Sequence, residues 1–157
     1  MIGLFTALAL TMAGASAGLA GDDDASAGPF AVDASNGLAL DGYDPVSYFV
    51  AGEPRPGLRR FEVSWAGVVW RFASVGNRDA FIRAPEVYAP RFGGHGALAV
   101  SRGYPAQASP LYWVVHKDRL YLFFSPVNRL AWLEDPDRPI ADAERKWTRL
   151  RKQIANF

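Results

Sequence analysis

Two apolar stretches of this chain each predict a β-hairpin, the first by alternation of apolar and polar positions and the second by two apolar runs flanking a polar turn. In the first, Phe61, Val63 and Trp65 alternate with Glu62 and Ser64, and Val68, Trp70 and Phe72 alternate with Val69 and Arg71, around an Ala66-Gly67 turn. A period of two places one side of such a strand on a core and the other toward solvent. In the second, Tyr112–Val115 and Leu120–Phe124 flank Lys117-Asp118. Between and around the hairpins the period lengthens. Pro45–Phe49 reads as a short helix with Asp44 as its cap and Val46, Tyr48 and Phe49 facing inward. Arg78–Arg83, capped by Ser74 or Asn77, presents Phe81 and Ala80 inward, and Ala84-Pro85 breaks it before a new turn, Pro85–Tyr88. Gly93-Gly94 allows a sharp bend. Ala97–Val100 reads as a small apolar strand. Ser125-Pro126 starts a helix in which Val127, Leu130 and Leu133 recur at helical spacing, with Asp135-Pro136 as its stop. A final helix from about Ala141 to Ala155 carries the stripe Ala143, Trp147, Leu150 and Ile154. The sum is an α+β domain: a small, mostly antiparallel sheet of two aromatic hairpins with short helices packed against it. The pattern shows no internal repeat, no glycine-rich phosphate loop and no sustained heptad.

Composition narrows what such a domain can do. The chain has 157 residues, of which 50% are hydrophobic and 13% aromatic, so one domain with a real core is expected without disulfide or metal staples. Five tryptophans belong mostly to that core. A net charge of +1 argues against an electrostatically driven nucleic-acid partner. Cysteine is absent, which excludes disulfides, thiol chemistry and thiolate-ligated metal. Residues 1–20 carry no charged side chain: Ile2–Met12 serves as an apolar segment, and cleavage sites of small residues follow near Ala17 and Ala20. They predict a secretory signal peptide, or an N-terminal anchor if retained, although the apolar run is shorter than the about 20 residues that span a bilayer. Residues 21–37 read as a flexible linker and 38–157 as the folded domain. The product is expected in the periplasm or cell envelope, with membrane contact only through a retained leader.

The order of residues also carries a resemblance. Gly42-Tyr43-Asp44-Pro45-Val46-Ser47-Tyr48-Phe49 is followed by Trp65-Ala66-Gly67, Trp70-Arg71-Phe72-Ala73-Ser74, Asn77-Arg78-Asp79-Ala80-Phe81 and Pro85-Glu86-Val87-Tyr88-Ala89-Pro90. Phe92-Gly93-Gly94, Leu120-Tyr121-Leu122 and Trp132 continue it. This series, from about Leu38 to Leu150, resembles the exported single-domain YHS proteins of bacteria. The resemblance implies metal binding through cysteines in short YHS modules, and a Gly-Gly-Tyr-Cys-Ala stretch in the exported proteins. Here that stretch is Gly93-Gly94-His95-Gly96-Ala97, and the short module's Asp-Pro-Val-Cys is Asp44-Pro45-Val46-Ser47. Both thiol positions are empty, so thiolate metal binding does not carry over.

Of the residues left, His95 is the sharpest candidate. A histidine beside two glycines can ligate a metal or haem iron through one ring nitrogen while the other donates to a carbonyl, or can serve as a hydrogen-bonded loop residue. Tyr43, Trp70, Tyr88, Phe92 and Trp113 are expected to border a shallow aromatic pocket with it. His116 falls at an exposed turn, and Asp41, Asp44 or Glu86 are the carboxylates available to complete a ligand set. Asp79 and Glu86 read more simply as helix-end and surface charges, Ser47 and Ser125 lack a nucleophile-elbow context, and Arg71 and Arg91 read as an outward strand residue and a turn residue. The basic side chains Arg145, Lys146, Arg149, Arg151 and Lys152 lie off the last helix's apolar stripe, a solvated face or a contact for an acidic partner. No catalytic residue is assigned. The first expectation is a non-catalytic binding or accessory module of the cell envelope, for a small ligand or an envelope protein partner. A metal- or haem-dependent redox protein using His95 is one alternative, and a purely protein-interaction module is the other.

Overall fold

The computed structural model describes residues 30–155; the predicted leader and the first part of the predicted linker lie outside them. Among the described residues four strands form two separate antiparallel hairpins, with one α-helix before them, three between them and two after them. The strands are β1 (Leu58–Trp65), β2 (Val68–Phe72), β3 (Ser109–His116) and β4 (Arg119–Phe123). The helices are α1 (Ser47–Val50), α2 (Val75–Arg83), α3 (Pro85–Tyr88), α4 (Ala97–Arg102), α5 (Pro126–Glu134) and α6 (Asp137–Ile154). The domain is α+β, with helices packed against aromatic hairpins.

The chain is built as two similar halves, against the expectation of no internal repeat. Leu58 pairs with Phe72, Glu62 with Arg71 and Trp65 with Val68; Ser109 pairs with Phe123, Trp113 with Leu122 and His116 with Arg119. The registers coincide step for step, including an irregularity at the same place in each hairpin. Both turns hold two residues at positive φ, Ala66-Gly67 and Lys117-Asp118, the geometry that matches the twist of tight hairpins. Ser74 then caps the nine-residue α2 by accepting from the Asn77 N–H, and Ser125 caps the nine-residue α5 by accepting from the Asn128 N–H. Ahead of each hairpin lies a left-handed turn, Leu40-Asp41-Gly42 in one half and Phe92-Gly93-Gly94 in the other. Leu40 and Phe92 adopt a backbone region that costs a side-chain-bearing residue about 1–2 kcal/mol. Their burial offsets that cost, since both side chains are enclosed in the core.

Each half has its own core. The first centres on Trp70, Phe72 and Phe81, with Tyr48 and Leu120. The second centres on Phe92, Phe123, Trp132 and Trp147. Tyr48 joins the halves: its buried hydroxyl donates to the Pro110 carbonyl at 3.0 Å, and burial holds its phenol well above the ordinary value. The halves differ in their last element, where α3 is one turn and α6 runs for 18 residues across α4. Ala143, Trp147 and Leu150 of α6 are buried as their spacing predicts, and Lys146 reaches the Ser101 carbonyl at 2.5 Å.

Three expectations change. Ala97–Val100 is not a strand but the start of α4, which ends at Gly103 in the left-handed conformation. A four-residue apolar run has no period of its own, and the surroundings decide its state. Residues 30–37 are not a free linker: Phe30 is buried, edge-on to Trp70 at 5.0 Å, and the Ala31 N–H donates to the Gly93 carbonyl at 2.8 Å. The apolar spacing on α5 points outward. Val127, Leu130 and Leu133 are exposed, at 73%, 62% and 43%, and Trp132 is the residue of α5 that enters the core. Among the described residues no helix is long and apolar enough to cross a membrane.

The two faces of α5 give opposite expectations. Trp132→Ala lowers the unfolding free energy by about 3–5 kcal/mol. Leu130→Gln changes it by no more than about 0.5 kcal/mol. Urea denaturation of the two variants reads both, and a large loss for Leu130→Gln overturns the assigned orientation.

Candidate functional site

Asp44 is the most constrained polar side chain in the molecule. It is fully buried, and burying a carboxylate without partners is costly. Three donors meet it. Oδ1 accepts from the Val46 N–H at 2.8 Å; Oδ2 accepts from the Ala73 N–H at 2.8 Å and from Asn77 Nδ2 at 2.6 Å. The predicted cap of the first short helix therefore reaches further, tying the loop before α1 to the start of α2. Its backbone N–H donates to the Arg55 carbonyl at 2.9 Å. Ser47 belongs to the same network, donating from Oγ to the Asp44 carbonyl at 2.8 Å and accepting from the Arg55 N–H at 3.0 Å.

The second half repeats this frame with the carboxylate missing. Tyr43, at φ −76° and ψ 150°, corresponds to His95, at φ −70° and ψ 153°. Asp44 corresponds to Gly96, whose N–H donates to the Ala106 carbonyl at 2.9 Å as that of Asp44 does to Arg55. Ala73 and Asn77 correspond to Phe124 and Asn128. A side chain begun at Gly96 meets nothing closer than the Phe124 amide nitrogen at 3.7 Å and the Ala106 carbonyl at 3.8 Å. A hollow of about 10 Å³ lies there, lined by Gly96, Leu98, Ala99, Phe123, Phe124 and Asn128. That volume is one water-sized group. These are the counterparts of the residues that surround the Asp44 carboxylate.

His95 points elsewhere, into the second core. Its ring lies 5.8 Å from that of Trp147, and both ring nitrogens are enclosed without a well-formed hydrogen bond. Burial lowers its proton affinity, and the Ala106 carbonyl offsets this only in part. The six residues expected to border one pocket separate between the two cores. Tyr43, Trp70, Tyr88 and Trp113 belong to the first, where Trp70 is fully enclosed. Phe92 and His95 belong to the second, and Phe92 is enclosed there. An internal hollow of about 20 Å³ near the junction of the halves is bordered by Trp70 but by none of the other five.

The remaining candidates have structural partners. His116 is partly buried, not fully exposed, with its ring edge-on to Trp132 at 5.5 Å and Nε2 3.4 Å from Asp137. Asp79 pairs with Arg78 at 2.9 Å, Arg71 with Glu62 at 2.7 Å and Arg91 with Glu144 at 3.2 Å. Asp41 and Glu86 do not meet His95 in a ligand set: among the described residues no three of the histidine and acidic side chains are placed to hold one ion. Sequence reasoning singled out Gly96 only as an empty cysteine position, and did not single out Phe124 or Asn128. The signal was present: Phe72, Ser74, Asn77, Arg78 and Ala80 recur as Phe123, Ser125, Asn128, Arg129 and Ala131, and aromatic Phe81 recurs as Trp132. No family model, curated protein or solved structure matches the chain.

Two outcomes follow from this geometry. Asp44→Ala strands three buried donors and lowers the unfolding free energy by about 3 kcal/mol, while Asp44→Asn, which keeps one acceptor oxygen, costs less. Chemical denaturation measures both. For His95, protonation is disfavoured in the fold, so the unfolded chain takes up the proton first as pH falls below about 6.5. Its contribution to stability is thus present above that pH and is lost as pH falls toward the lowered folded value. A melting-temperature profile from pH 8 to 5 is expected to be steeper in the wild type than in His95→Gln.

Proposed function

We propose that this chain is a non-catalytic binding or accessory module of the cell envelope, of the exported YHS kind that its sequence resembles. The observation that carries the binding reading is the difference between the halves. One closes its frame with the Asp44 carboxylate; the other keeps the frame, replaces the carboxylate with Gly96, and leaves a hollow at the surface end of β4. The small ligand sits there, and the aromatic residues that the sequence suggests as a pocket serve as the walls of the two cores behind it. The alternative of redox chemistry at His95 has less support, because the imidazole is turned into the second core against Trp147 and, among the described residues, no three histidine and acidic side chains gather to hold one ion.

Contact with an envelope protein is a second reading, favoured by the exposed run Phe124, Val127, Leu130 and Leu133 on and beside α5. It and the small-ligand reading share Phe124.

The test is a thermal-shift screen of the full chain against metals, haem, flavins and small polar metabolites, run in parallel on the wild type and on Gly96→Asp. The expected result is a concentration-dependent rise in melting temperature with at least one compound, absent in Gly96→Asp. A shift of equal size in both proteins moves the site away from Gly96. The absence of any shift in the wild type overturns the small-ligand reading.

A further inference from the structure

We propose that the hollow beside Gly96 takes one oxygen of the carboxylate of a small organic acid, an inference that rests on the binding-module reading and names its ligand class. The argument begins with what the same frame holds in the first half of the chain. There a carboxylate, Asp44, is fully enclosed; one oxygen accepts from the Ala73 N–H and the Asn77 amide at the start of a nine-residue helix, and the other accepts from the Val46 N–H. In the second half the counterparts of the first two donors are in place. Phe124 supplies the backbone N–H and Asn128 the side-chain amide, again at the start of a nine-residue helix. Asn128 Oδ1 is occupied by the Ser125 hydroxyl at 2.5 Å, which leaves Nδ2 for the hollow. Among the described residues no protein acceptor meets the Phe124 N–H or Asn128 Nδ2.

Gly96 itself is not required by the backbone. Its φ of −60° and ψ of 115° are open to any residue, and a Cβ added there makes ordinary contacts. The missing side chain therefore creates the vacancy without serving the fold, and the hollow keeps the donors of a carboxylate site with no carboxylate in it. An anion is also the ligand that the start of α5 favours electrostatically. No acidic side chain lines the hollow. Leu98, Phe123 and Phe124 offer apolar contact to the carbon next to the carboxylate, and Phe124 also borders an open depression of about 220 Å³ with Asp41, Gln107, Ala108 and Ser109, where the rest of an acid has room.

The experiment is a titration of the full chain with sodium acetate and sodium formate at constant ionic strength, followed by amide nuclear magnetic resonance. Acetate is expected to give saturable shifts at the backbone amides of Gly96 and Phe124 and the side-chain amide of Asn128, with a Kd on the order of 1 mM, the range open to a ligand of a few atoms. Asn128→Ala is expected to weaken it at least about fivefold, the loss of one hydrogen bond to a charged group. Gly96→Asp, which supplies the carboxylate internally, is expected to abolish the shifts and to melt higher than the wild type; if it does not fold, Gly96→Ala, which narrows the hollow, takes its place and is expected to weaken acetate. Non-saturating shifts equal to those caused by chloride overturn the proposal. So does acetamide binding as well as acetate, but in that case the binding-module reading stands and only the ligand class fails. If neither acetate, formate nor acetamide binds and the compound screen is also silent, both fall together.

Discussion

Burial of one carboxylate organises the first half of this domain. A charge removed from water needs donors, and Asp44 finds three from separate segments of chain: Val46 beyond it, Ala73 at the end of β2 and Asn77 in α2. The bond from Val46 is local, while those from Ala73 and Asn77 span about thirty residues, so together they fix how the loop before α1 meets the hairpin and the helix that follow. The tilted rings of Trp70, Phe72 and Phe81 fill the space this bracket defines. Hydrogen bonds to a buried charge are directional where aromatic packing is not, so the bracket sets the orientation and the rings supply most of the apolar burial.

The second half solves the same problem without a charge. It retains the left-handed turn, the hairpin register and the serine-capped helix, but places glycine where the bracket's carboxylate stands. Its coherence comes instead from α6, which lays Ala143, Trp147 and Leu150 across α4 and Phe92 and covers a face that the one-turn α3 leaves smaller in the first half. The frame is thereby released from a structural duty in one half, and the hollow beside Gly96 is what remains of it. His95 follows the same logic: it stands in the position of Tyr43, but α6 closes over it and holds its ring neutral in the core.

Much of this architecture can be read from order and spacing alone. Period-two alternation marks the first hairpin and paired apolar runs around a polar turn mark the second, Ser74 and Ser125-Pro126 mark the starts of α2 and α5, and the stripe of α6 faces inward as it predicts. These signals are legible because each depends on neighbours within a few residues. The site was much less legible. His95 draws attention as the histidine beside a glycine pair, yet Gly96 is where the vacancy lies, and what a missing side chain leaves open depends on the distant residues Phe124 and Asn128 that surround it.

The sequence by itself determined the α+β class, the two hairpins, the capped helices and the absence of thiol chemistry, because local propensity, turn residues and composition act within short stretches of chain. Tertiary structure decided the rest. It made Ala97–Arg102 a helix under α6, drew Phe30 into the core, and left the helically spaced Val127, Leu130 and Leu133 of α5 facing outward. It also divided six aromatic and imidazole candidates between two cores and superposed Gly96 on the place of Asp44. Each of these depends on which distant surface arrives to cover a face, and that is settled by packing and by the need to pair buried polar groups across the whole chain.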